Sequence, residues 1–470
     1  MSEPLDVIII GAGSAGLAAL REVRRRTDRF VLINDGPYGT TCARVGCMPS
    51  KVLIEAANAF HARGKLEAFG VRGAEALAVD IPAVLRRVRE LRDHYVASTL
   101  KATADLGERN IAGRARLLDA QRVQVGGRVL SARRVVIATG SRPIVPPAWR
   151  GLGERVLTSD TLFDQTSLPR RIGVIGLGPV GIEMAQALAR LGLEVTAFGQ
   201  DEWLAGLTDE KVNATLRALL EKEFAVHTGA PAEMTLSDDG IAVRAGSVTT
   251  VVDRVVVAVG RRPNVDGIGL ETLGVPLDEH GMPQFDPTTT RIADLPLFIA
   301  GDANGHAPLL HEAADEGHIA GRNALEDAPN CYRRRTSLGI VFLDPGVAFV
   351  GQRHAELEDS AVVGEIDFAR QGRARAAQRN YGLMRIYASR ADARVLGAEM
   401  CAPAGEHMAH LLAVAIEQNL TVFDLLRLPF YHPVLEEGLR SALRELARQL
   451  GGSGGSDLAD CEGYRSEALD

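Results

Sequence analysis

Two stretches of the chain share the same order of apolar and turn-forming residues. Residues 5–10 form a nearly continuous apolar run, as in a parallel strand that is covered on both faces. A glycine-rich turn follows at residues 11–16, then a helix-like segment to about Arg25 and a second apolar run at residues 30–33. This order predicts a β-α-β unit at the start of the chain.

The same pattern recurs about 165 residues later. Residues 171–175 are strand-like, residues 176–181 are again glycine-rich, and a helix-like segment runs to Leu191 before a strand at residues 195–198. Two such units predict two Rossmann-like dinucleotide-binding domains.

The segment from about residue 334 to residue 450 has no such unit. Strand-like pieces at residues 339–342 and 383–387 alternate with helix-like pieces at residues 405–418 and 436–450. We therefore expect an α/β fold with two Rossmann-like domains and a third, α+β domain at the C-terminus.

Composition narrows the class of protein. The 470 residues suffice for about three domains, and the net charge of −7 argues against a dedicated nucleic-acid-binding protein. No apolar run approaches the roughly 18 residues of a membrane span, and the first residues lack the basic segment of a secretion signal. We expect a cytoplasmic protein, with a flexible tail at residues 451–470 because this segment begins with glycine and serine.

Each glycine-rich turn has the spacing GxGxxG. The first glycine allows the turn, the second lets the backbone approach a pyrophosphate, and the third lets helix and strand pack closely. A turn without a ligand is the alternative, which the strand–turn–helix context of both copies disfavours. The residues concerned are Gly11, Gly13, Ser14, Ala15 and Gly16 in the first turn, and Gly176, Gly178, Pro179, Val180 and Gly181 in the second.

The second strand of such a unit normally ends in an acid that binds ribose hydroxyls. Asn34, followed by Asp35, stands there in the first unit and can still accept a hydroxyl hydrogen bond. Gly199 stands there in the second unit, followed by Gln-Asp-Glu at residues 200–202. The two acids would repel a 2′-phosphate and no arginine is present to bind one, which favours NADH over NADPH. Alternatively, Asp201 and Glu202 belong to a solvated loop.

Cys42 and Cys47 flank four residues close to the first glycine-rich turn, and a helix is predicted to start near Cys47. A helix N-terminus stabilises a thiolate, the nucleophilic form of cysteine. Two structural cysteines or half of a metal site are the alternatives, but there is no second cysteine pair, and His407 and His410 are too generic to complete a metal site. The other cysteines are too far apart for a secreted disulfide framework: Cys331, Cys401 and Cys461.

Together these motifs resemble the pyridine nucleotide–disulfide oxidoreductases, a family of flavoprotein disulfide reductases. The resemblance covers about residues 5–450 and is greatest to the dihydrolipoamide dehydrogenase branch. It rests on the CxxxxC block and on Ala138-Thr139-Gly140, Ala258-Val259-Gly260-Arg261-Arg262-Pro263-Asn264, Ala300-Gly301-Asp302 and Tyr431-His432-Pro433.

The resemblance implies the cofactors and the domains. The first glycine-rich turn would hold FAD and the second NAD, with NADP less favoured. The FAD domain would comprise residues 1–145 and 268–333, the NAD(P) domain residues 146–267, and the dimerisation domain of a homodimer residues 334–450. Asp302 would bind the FAD ribityl chain, and further contacts would come from Ala115, Thr139, Gly140 and Leu310 for the flavin nucleotide, and from Gly260 and Arg261 for the nicotinamide nucleotide.

The same resemblance implies the chemistry. Cys47 would lie nearest the flavin and Cys42 would exchange with substrate. Lys51 would pair with Glu183 beneath the flavin, although as charges alone both could be surface residues. His432 and Glu437 would form an acid–base dyad that serves the partner's cysteines across the dimer, whereas a histidine taken at random is more often structural or solvated. His311 falls at a family position beside the flavin without an assigned chemistry.

Three departures from the family pattern leave the substrate open. Asn34 and Gly199 replace acids, and Phe430 replaces a histidine; the last two loosen the assignment to dihydrolipoamide. We consider a dihydrolipoamide dehydrogenase that serves lipoyl domains of 2-oxoacid dehydrogenase complexes, a reductase of another acceptor (a glutathione-type disulfide, mercuric ion or a quinone), and a flavin-binding component without turnover. Mercuric reductases usually end in a cysteine pair, whereas this tail has only Cys461, as a shuttle thiol or a spectator.

Overall fold

The computed structural model describes residues 4–451; the predicted flexible tail, apart from its first residue, and Cys461 lie outside them. The helices are α1 (Ser14–Val23), α2 (Thr41–Val45), α3 (Cys47–His61), α4 (Ile81–Ala104), α5 (Ser159–Leu162), α6 (Pro179–Arg190), α7 (Glu210–Leu220), α8 (Leu310–Asn323), α9 (Gly372–Ala376), α10 (Gly405–Glu417), α11 (Val422–Leu426) and α12 (Glu437–Gln449). The strands are β1 (Leu5–Ile10), β2 (Phe30–Asn34), β3 (Asn110–Ala112), β4 (Ala115–Leu117), β5 (Arg122–Val125), β6 (Arg128–Ile137), β7 (Ser141–Pro143), β8 (Val156–Leu157), β9 (Arg171–Ile175), β10 (Glu194–Phe198), β11 (Ala225–His227), β12 (Ala232–Ser237), β13 (Gly240–Ala245), β14 (Val248–Val252), β15 (Arg254–Val257), β16 (Arg261–Pro263), β17 (Leu297–Ile299), β18 (Leu338–Val341), β19 (Gly346–Gly351), β20 (Ala361–Asp367), β21 (Leu383–Ser389) and β22 (Val395–Ala402).

The first sheet has the order β3-β2-β1-β6-β5-β4, and β17 pairs in parallel with β6. The chain therefore leaves this sheet after β6 and returns to it more than 150 residues later. Both faces of β1 are covered: Val7 and Ile9 pack in the core cluster that contains α1 and α8, whereas Ile8 and Ile10 pack in the cluster that contains β4 and β5. Burial on both faces explains why this strand is an apolar run rather than an alternating one.

Helices α1 and α8 cross on one face of this sheet at unusually short distance. A Cβ atom on Gly317 would lie 2.2 Å from the carbonyl oxygen of Ala15, and one on Gly321 would lie 2.6 Å from that of Ala19. Only glycine permits this approach, which fixes the start of α8 beside the first glycine-rich turn.

The second sheet is fully parallel in the order β11-β10-β9-β15-β8. The antiparallel sheet β12-β13-β14 packs on it, and the short antiparallel pair β7 and β16 lies where the chain passes between the first sheet, which is mixed, and this parallel one. Helix α6 follows β9 directly, as α1 follows β1. The two predicted β-α-β units are therefore confirmed.

The C-terminal sheet is antiparallel, in the order β18-β19-β22-β21-β20, and α10, α11 and α12 pack on it in one core. The predicted strands and helices of this region are present within one or two residues, and the predicted fold class is confirmed. Only two of its five strands are predicted by the sequence pattern. The most buried, β22, has no alternation to reveal it, because nearly all of its side chains are covered.

Candidate active site

A single cavity of about 1190 Å³ joins both glycine-rich turns, both cysteines and the start of α8. The predicted site residues that line it are Gly13, Ser14, Ala15, Cys42, Cys47, Lys51, Gly140, Gly176, Gly178, Pro179, Val180, Glu183, Gly199, Gly260, Arg261, Asp302 and Leu310. His311 lines it as well. Residues almost 300 positions apart in sequence thus face one cavity.

The glycines of the two turns divide into two kinds. A Cβ atom on Gly16 would lie 1.9 Å from the carbonyl oxygen of Gly11, and one on Gly181 would lie 1.8 Å from that of Gly176. These four glycines permit close packing. By contrast, a Cβ atom on the middle glycine of either turn, Gly13 or Gly178, would meet no atom within 4 Å. The middle glycines leave space for a ligand.

The residues present fit two dinucleotides. Gly13 and Gly178 are the N-cap residues of α1 and α6 and provide no side-chain cap, so the N–H groups of the first helical turn are available to a phosphate. Beside the first turn, the buried hydroxyl of Thr139 has no hydrogen-bond partner among the described residues. Buried hydroxyls are rarely unpartnered, and a bound cofactor would satisfy this one.

Other predicted residues lie just outside the cavity. The amide of Asn34 accepts a hydrogen bond from the N–H of Ala12 at 3.0 Å and donates to the carbonyl of Gly36 at 3.0 Å. Asn34 therefore braces the turn between β1 and α1, and Asp35 follows it at the exposed end of β2. Ala115 is buried on β4, where it pairs with Val125.

The end of β10 separates the two acids that follow Gly199. Asp201 lines the cavity, whereas Glu202 is paired with Arg217 at 2.7 Å and accepts a hydrogen bond from Thr228 at 2.8 Å. The hydrogen bond from Thr228 and the ion pair with Arg217 lower the pKa of Glu202, and the guanidinium offsets part of its charge. Only one of the two acids that the sequence suggested can therefore repel a 2′-phosphate effectively.

Asp302 is connected to Arg261 through a residue that sequence analysis did not identify. The hydroxyl of Ser141 donates to Asp302 at 2.6 Å and accepts from the Nε of Arg261 at 2.8 Å. A second guanidinium N–H of Arg261 donates to the carbonyl oxygen of Ser141 at 2.8 Å. Ser141 directly follows the Ala-Thr-Gly motif, which is the only sequence signal for its role. A serine after a glycine is also common in ordinary turns, so this position alone does not indicate a functional residue.

Cys42 and Cys47 meet because one glycine separates two helices. Cys42 lies on the short helix α2, Cys47 is the first residue of α3, and Gly46 lies between them. A Cβ atom on Gly46 would lie 3.0 Å from the carbonyl oxygen of Thr41, so a larger residue would push the helices apart. The predicted helix start near Cys47 is confirmed, whereas α2 was not predicted.

Both cysteines have free thiols, and a hydrogen bond between them shifts their pKa values in opposite directions. The hydrogen bond from Cys42 lowers the pKa of Cys47 to about 7, and the nearby Lys51 cation acts in the same direction against the effect of burial. The hydrogen bond with Cys47, together with burial, raises the pKa of Cys42. The pair therefore places its first negative charge on Cys47.

Lys51 and Glu183 form an ion pair between α3 and α6. The Lys51 ammonium lies 3.0 and 2.7 Å from the two carboxylate oxygens of Glu183. The N–H of Phe342 donates to the same carboxylate at 2.9 Å, and the Lys51 ammonium lies 4.2 Å from the centre of the Phe342 ring. Phe342, directly after β18, thus fixes the pair from the C-terminal domain, and no local sequence signal identified it.

His432 and Glu437 are in contact, but they do not line the cavity that contains the cysteines of their own chain. The Nδ1 atom of His432 lies 3.0 Å from the Glu437 carboxylate, whose second oxygen accepts from the N–H of Val434 at 3.2 Å. The bond to His432 lowers the pKa of Glu437. The His432 side chain is 80% exposed, so its other ring nitrogen is open to a second molecule.

The described residues contain neither a metal-binding cluster nor a membrane-spanning helix. Among residues 4–451, no group of three or more His, Cys, Asp or Glu side chains is placed to hold a metal ion. Within the same residues, no helix combines the length and the apolar character that crossing a membrane requires.

Comparison with known proteins agrees with this geometry. Residues 5–317 match the pyridine nucleotide-disulphide oxidoreductase family, and residues 338–443 match the dimerisation domain of that family. The dihydrolipoyl dehydrogenase of Thermus scotoductus is 32% identical over 94% of this chain and 98% of its own. Dihydrolipoyl dehydrogenase 3 of Haloarcula marismortui is 29% identical over 93% and 95% of the two chains.

A solved structure shares the fold over nearly the whole chain. The HOCl-induced flavoprotein disulfide reductase RclA from Escherichia coli, in a Cu(II) complex, superposes with a TM-score of 0.82 at 22% identity, covering 94% of this chain and 99% of its own. The cofactors are FAD and NAD(H), and the C-terminal domain is one that forms homodimers. This chain therefore belongs to the pyridine nucleotide-disulphide oxidoreductase family, as its two dinucleotide turns, its thiol pair and these matches show.

Proposed function

We propose that this protein is a dihydrolipoamide dehydrogenase, which transfers two electrons from an aliphatic dithiol to NAD⁺. The observation that carries the proposal is the coupled thiol pair, with the pKa of Cys47 lowered to about 7, in the cavity that also contains both dinucleotide turns. A low-pKa thiolate is both a nucleophile and a good leaving group in disulfide exchange. The curated relatives bear the name dihydrolipoyl dehydrogenase, which supports the same substrate.

Thiol exchange would begin from the oxidised Cys42–Cys47 disulfide. One thiol of the substrate loses its proton and attacks the sulfur of Cys42; this bond forms as the Cys42–Cys47 bond breaks, and Cys47 leaves as a thiolate. The second substrate thiol then attacks the first substrate sulfur, which releases the cyclic disulfide product and leaves Cys42 as a thiol. The substrate is oxidised by two electrons and the cysteine pair is reduced by two.

The released protons require a base. We assign this role to the partner subunit's His432, because the imidazole is open to solvent while Glu437 holds its Nδ1 atom and thereby fixes the tautomer. His432 lies outside the cavity of its own chain, and the family's dimerisation domain brings two chains together, which supports a shared site.

The remaining residues would hold the cofactors. FAD, when bound beside Cys47, would supply the redox chemistry that links the cysteine pair to the nicotinamide. Gly13 and Asp302 would hold FAD, and Gly178 and Arg261 would hold NAD, since these residues face the cavity. Lys51, held in place by Glu183, puts a cation beside Cys47 that favours its thiolate, whereas the Glu183 carboxylate acts weakly in the opposite direction. Lipoyl domains of 2-oxoacid dehydrogenase complexes would then be the source of the dithiol.

A second candidate is a reductase that uses NADH to reduce another acceptor. It is favoured by Phe430, which stands where a histidine is common and is packed against the C-terminal core with the Arg440 guanidinium over its ring. The surface beside the dyad is therefore more apolar than the family pattern, which could suit a quinone or a different disulfide. A flavin-binding component without turnover is opposed by the complete set of thiols and dyad.

Steady-state rates of the purified holoenzyme test the proposal. We expect kcat/KM for dihydrolipoamide with NAD⁺ to exceed that for glutathione disulfide, a benzoquinone or mercuric ion with NADH by at least about tenfold, or ~1.4 kcal/mol. Cys42→Ser should abolish the dithiol reaction. Cys331→Ser is the matched control, because Cys331 is exposed and lies outside the cavity. A higher kcat/KM for any other acceptor would favour the second candidate.

A further inference from the structure

Glu316 is a fully buried acid that belongs to none of the groups described above. It lies on α8 with 0% of its surface exposed and does not line the cavity. Burial raises the pKa of its carboxyl group. A buried carboxylate is unfavourable unless it is paired and hydrogen-bonded, and an apolar side chain would usually pack there at lower cost. The acid must therefore make contacts that an apolar residue cannot.

Those contacts hold one turn. One carboxylate oxygen of Glu316 accepts from the N–H of Gly301 at 2.6 Å and from the side-chain amide of Asn304 at 2.7 Å. The other oxygen accepts from the Arg334 guanidinium at 3.0 Å. Glu316 thus binds both ends of the turn Gly301–Asn304 and is neutralised by a cation from the segment that leads into the C-terminal domain.

The turn held in this way presents Asp302 to the cavity. Gly301 adopts a positive φ of +68°, and a Cβ atom on it would lie 2.9 Å from the Cβ of Ala15, so this conformation is tightly constrained. Asp302 follows directly, lines the cavity and accepts the hydrogen bond from Ser141. Loss of the Glu316 contacts would free the peptide on one side of Asp302 and the amide of Asn304 on the other.

We infer that Glu316 is a positioning residue for FAD: through its bonds to Gly301 and Asn304 it holds the Asp302 carboxylate in the orientation that binds the cofactor. The inference rests on the assignment of FAD to the first glycine-rich turn and is independent of the dithiol substrate. Arg334 is the cation paired with Glu316, and it partly offsets the effect of burial on the pKa of that carboxyl group.

Glu312 supplies a matched control. It lies one helical turn before Glu316 on α8 and pairs with the same Arg334, but its described contacts do not reach the Gly301–Asn304 turn. Glu312→Gln removes a charge pair with Arg334 and leaves the turn intact. Glu316→Gln keeps one side-chain oxygen that can accept from the N–H of Gly301, but its NH₂ group replaces the second oxygen and cannot accept a hydrogen bond. Glu316→Ala removes the hydrogen bonds to Gly301, Asn304 and Arg334.

The measurement is the FAD dissociation constant of each full-length apoprotein, together with its thermal unfolding. We expect Glu316→Ala to raise this constant about 10- to 100-fold, the effect of losing hydrogen bonds to a charged group. Glu316→Gln should raise it less, and Glu312→Gln should stay within about threefold of the wild type. The apoproteins of Glu316→Gln and Glu312→Gln should unfold at similar temperatures, which separates positioning from general stability.

Two results would overturn the inference: wild-type FAD affinity in Glu316→Gln and Glu316→Ala, or an equal loss in Glu312→Gln. Should Glu316→Ala fail to fold, the comparison of Glu316→Gln with Glu312→Gln decides the question. Asp302→Asn must also weaken FAD binding; an unchanged affinity there would overturn both the FAD assignment and the inference. Dithiol turnover is not part of the readout, so an error in the proposed substrate would not alter the outcome.

Discussion

At the scale of single residues, the pKa values of Cys42 and Cys47 are shifted in opposite directions although both thiols line one cavity. Their hydrogen bond favours a proton on Cys42 and a negative charge on Cys47, and the Lys51 cation supports the same distribution. Because the two groups interact strongly, the protons leave in two steps that belong to the pair. The first step should lie near neutral pH and the second far above it.

Reduction of the holoenzyme by two electrons should therefore produce a long-wavelength charge-transfer band that grows as pH rises through about 7, since the thiolate form of Cys47 is present above its pKa. Cys47→Ser should abolish the band. Cys42→Ser keeps a hydroxyl donor, whereas Cys42→Ala removes it, so the midpoint should move to higher pH in Cys42→Ala by about one pH unit or more. Equal midpoints in the two variants would contradict the assigned hydrogen bond.

The choice of nicotinamide dinucleotide should depend on Asp201. NADH should be used at least about tenfold more efficiently than NADPH, which corresponds to ~1.4 kcal/mol. Asp201→Asn should lower this preference for NADH because it removes the acid that lines the cavity beside the second glycine-rich turn. Asp238→Asn makes the same charge change on an exposed turn of the same domain and should leave the ratio unchanged. If both variants have the same ratio of NADH to NADPH efficiency, the preference for NADH does not depend on Asp201.

At the scale of secondary-structure elements, the turn between β9 and α6 combines two demands. Gly176 and Gly181 allow the helix to approach the strand, and Gly178 leaves the space above the helix N-terminus open. Gly178 has an extended backbone that alanine can adopt, with a φ of −67°. Folding and ligand binding are thus separated on neighbouring glycines of one turn.

Alanine substitutions should reveal this separation. Gly181→Ala places a methyl group 1.8 Å from a backbone oxygen, so the free energy of unfolding should fall by ~1–3 kcal/mol or more, measured by denaturant titration. Gly178→Ala should unfold like the wild type but show a KM for NADH raised by about tenfold. Normal NADH binding in Gly178→Ala would mean that the dinucleotide does not approach this backbone.

At the scale of the whole molecule, the parts of the proposed site lie on different surfaces of one chain. The thiols face the cavity, whereas the exposed His432–Glu437 dyad lies outside it at the start of α12. The chain carries the family's dimerisation domain over residues 338–443. In a two-fold dimer each chain can supply its dyad to the other chain.

Complementation between inactive chains tests this arrangement. Cys42→Ser and His432→Gln chains, each inactive with dithiols, should regain activity when they are unfolded and refolded together in equal amounts. Half of the dimers would be mixed and each would contain one intact site, so about a quarter of all sites should recover. Flavin reduction by NADH in His432→Gln should stay near the wild-type rate. Without recovery despite proven chain exchange, both residues would have to act within one chain.

The sequence by itself determined the local parts of this protein. The strand–glycine turn–helix units follow from short apolar runs and from glycines that no other residue can replace sterically, so they are readable within about 20 residues. The helix that starts at Cys47 follows from local sequence as well. The roles of Lys51, Glu183 and His432 came from the resemblance to a family, because isolated charges and histidines carry no local signal.

Only the tertiary structure decided which remote side chains meet. Lys51 and Glu183 are 132 positions apart, and Ser141 and Asp302 are 161 apart. Their contacts depend on how α3 packs on α6 and how the turn before α8 returns to the first sheet with β17. The roles of Glu316, Ser141 and Phe342 could not be predicted from the sequence. A buried carboxylate, a hydroxyl or an aromatic ring acquires its function from the groups that packing brings into contact with it, and those groups lie far away along the chain.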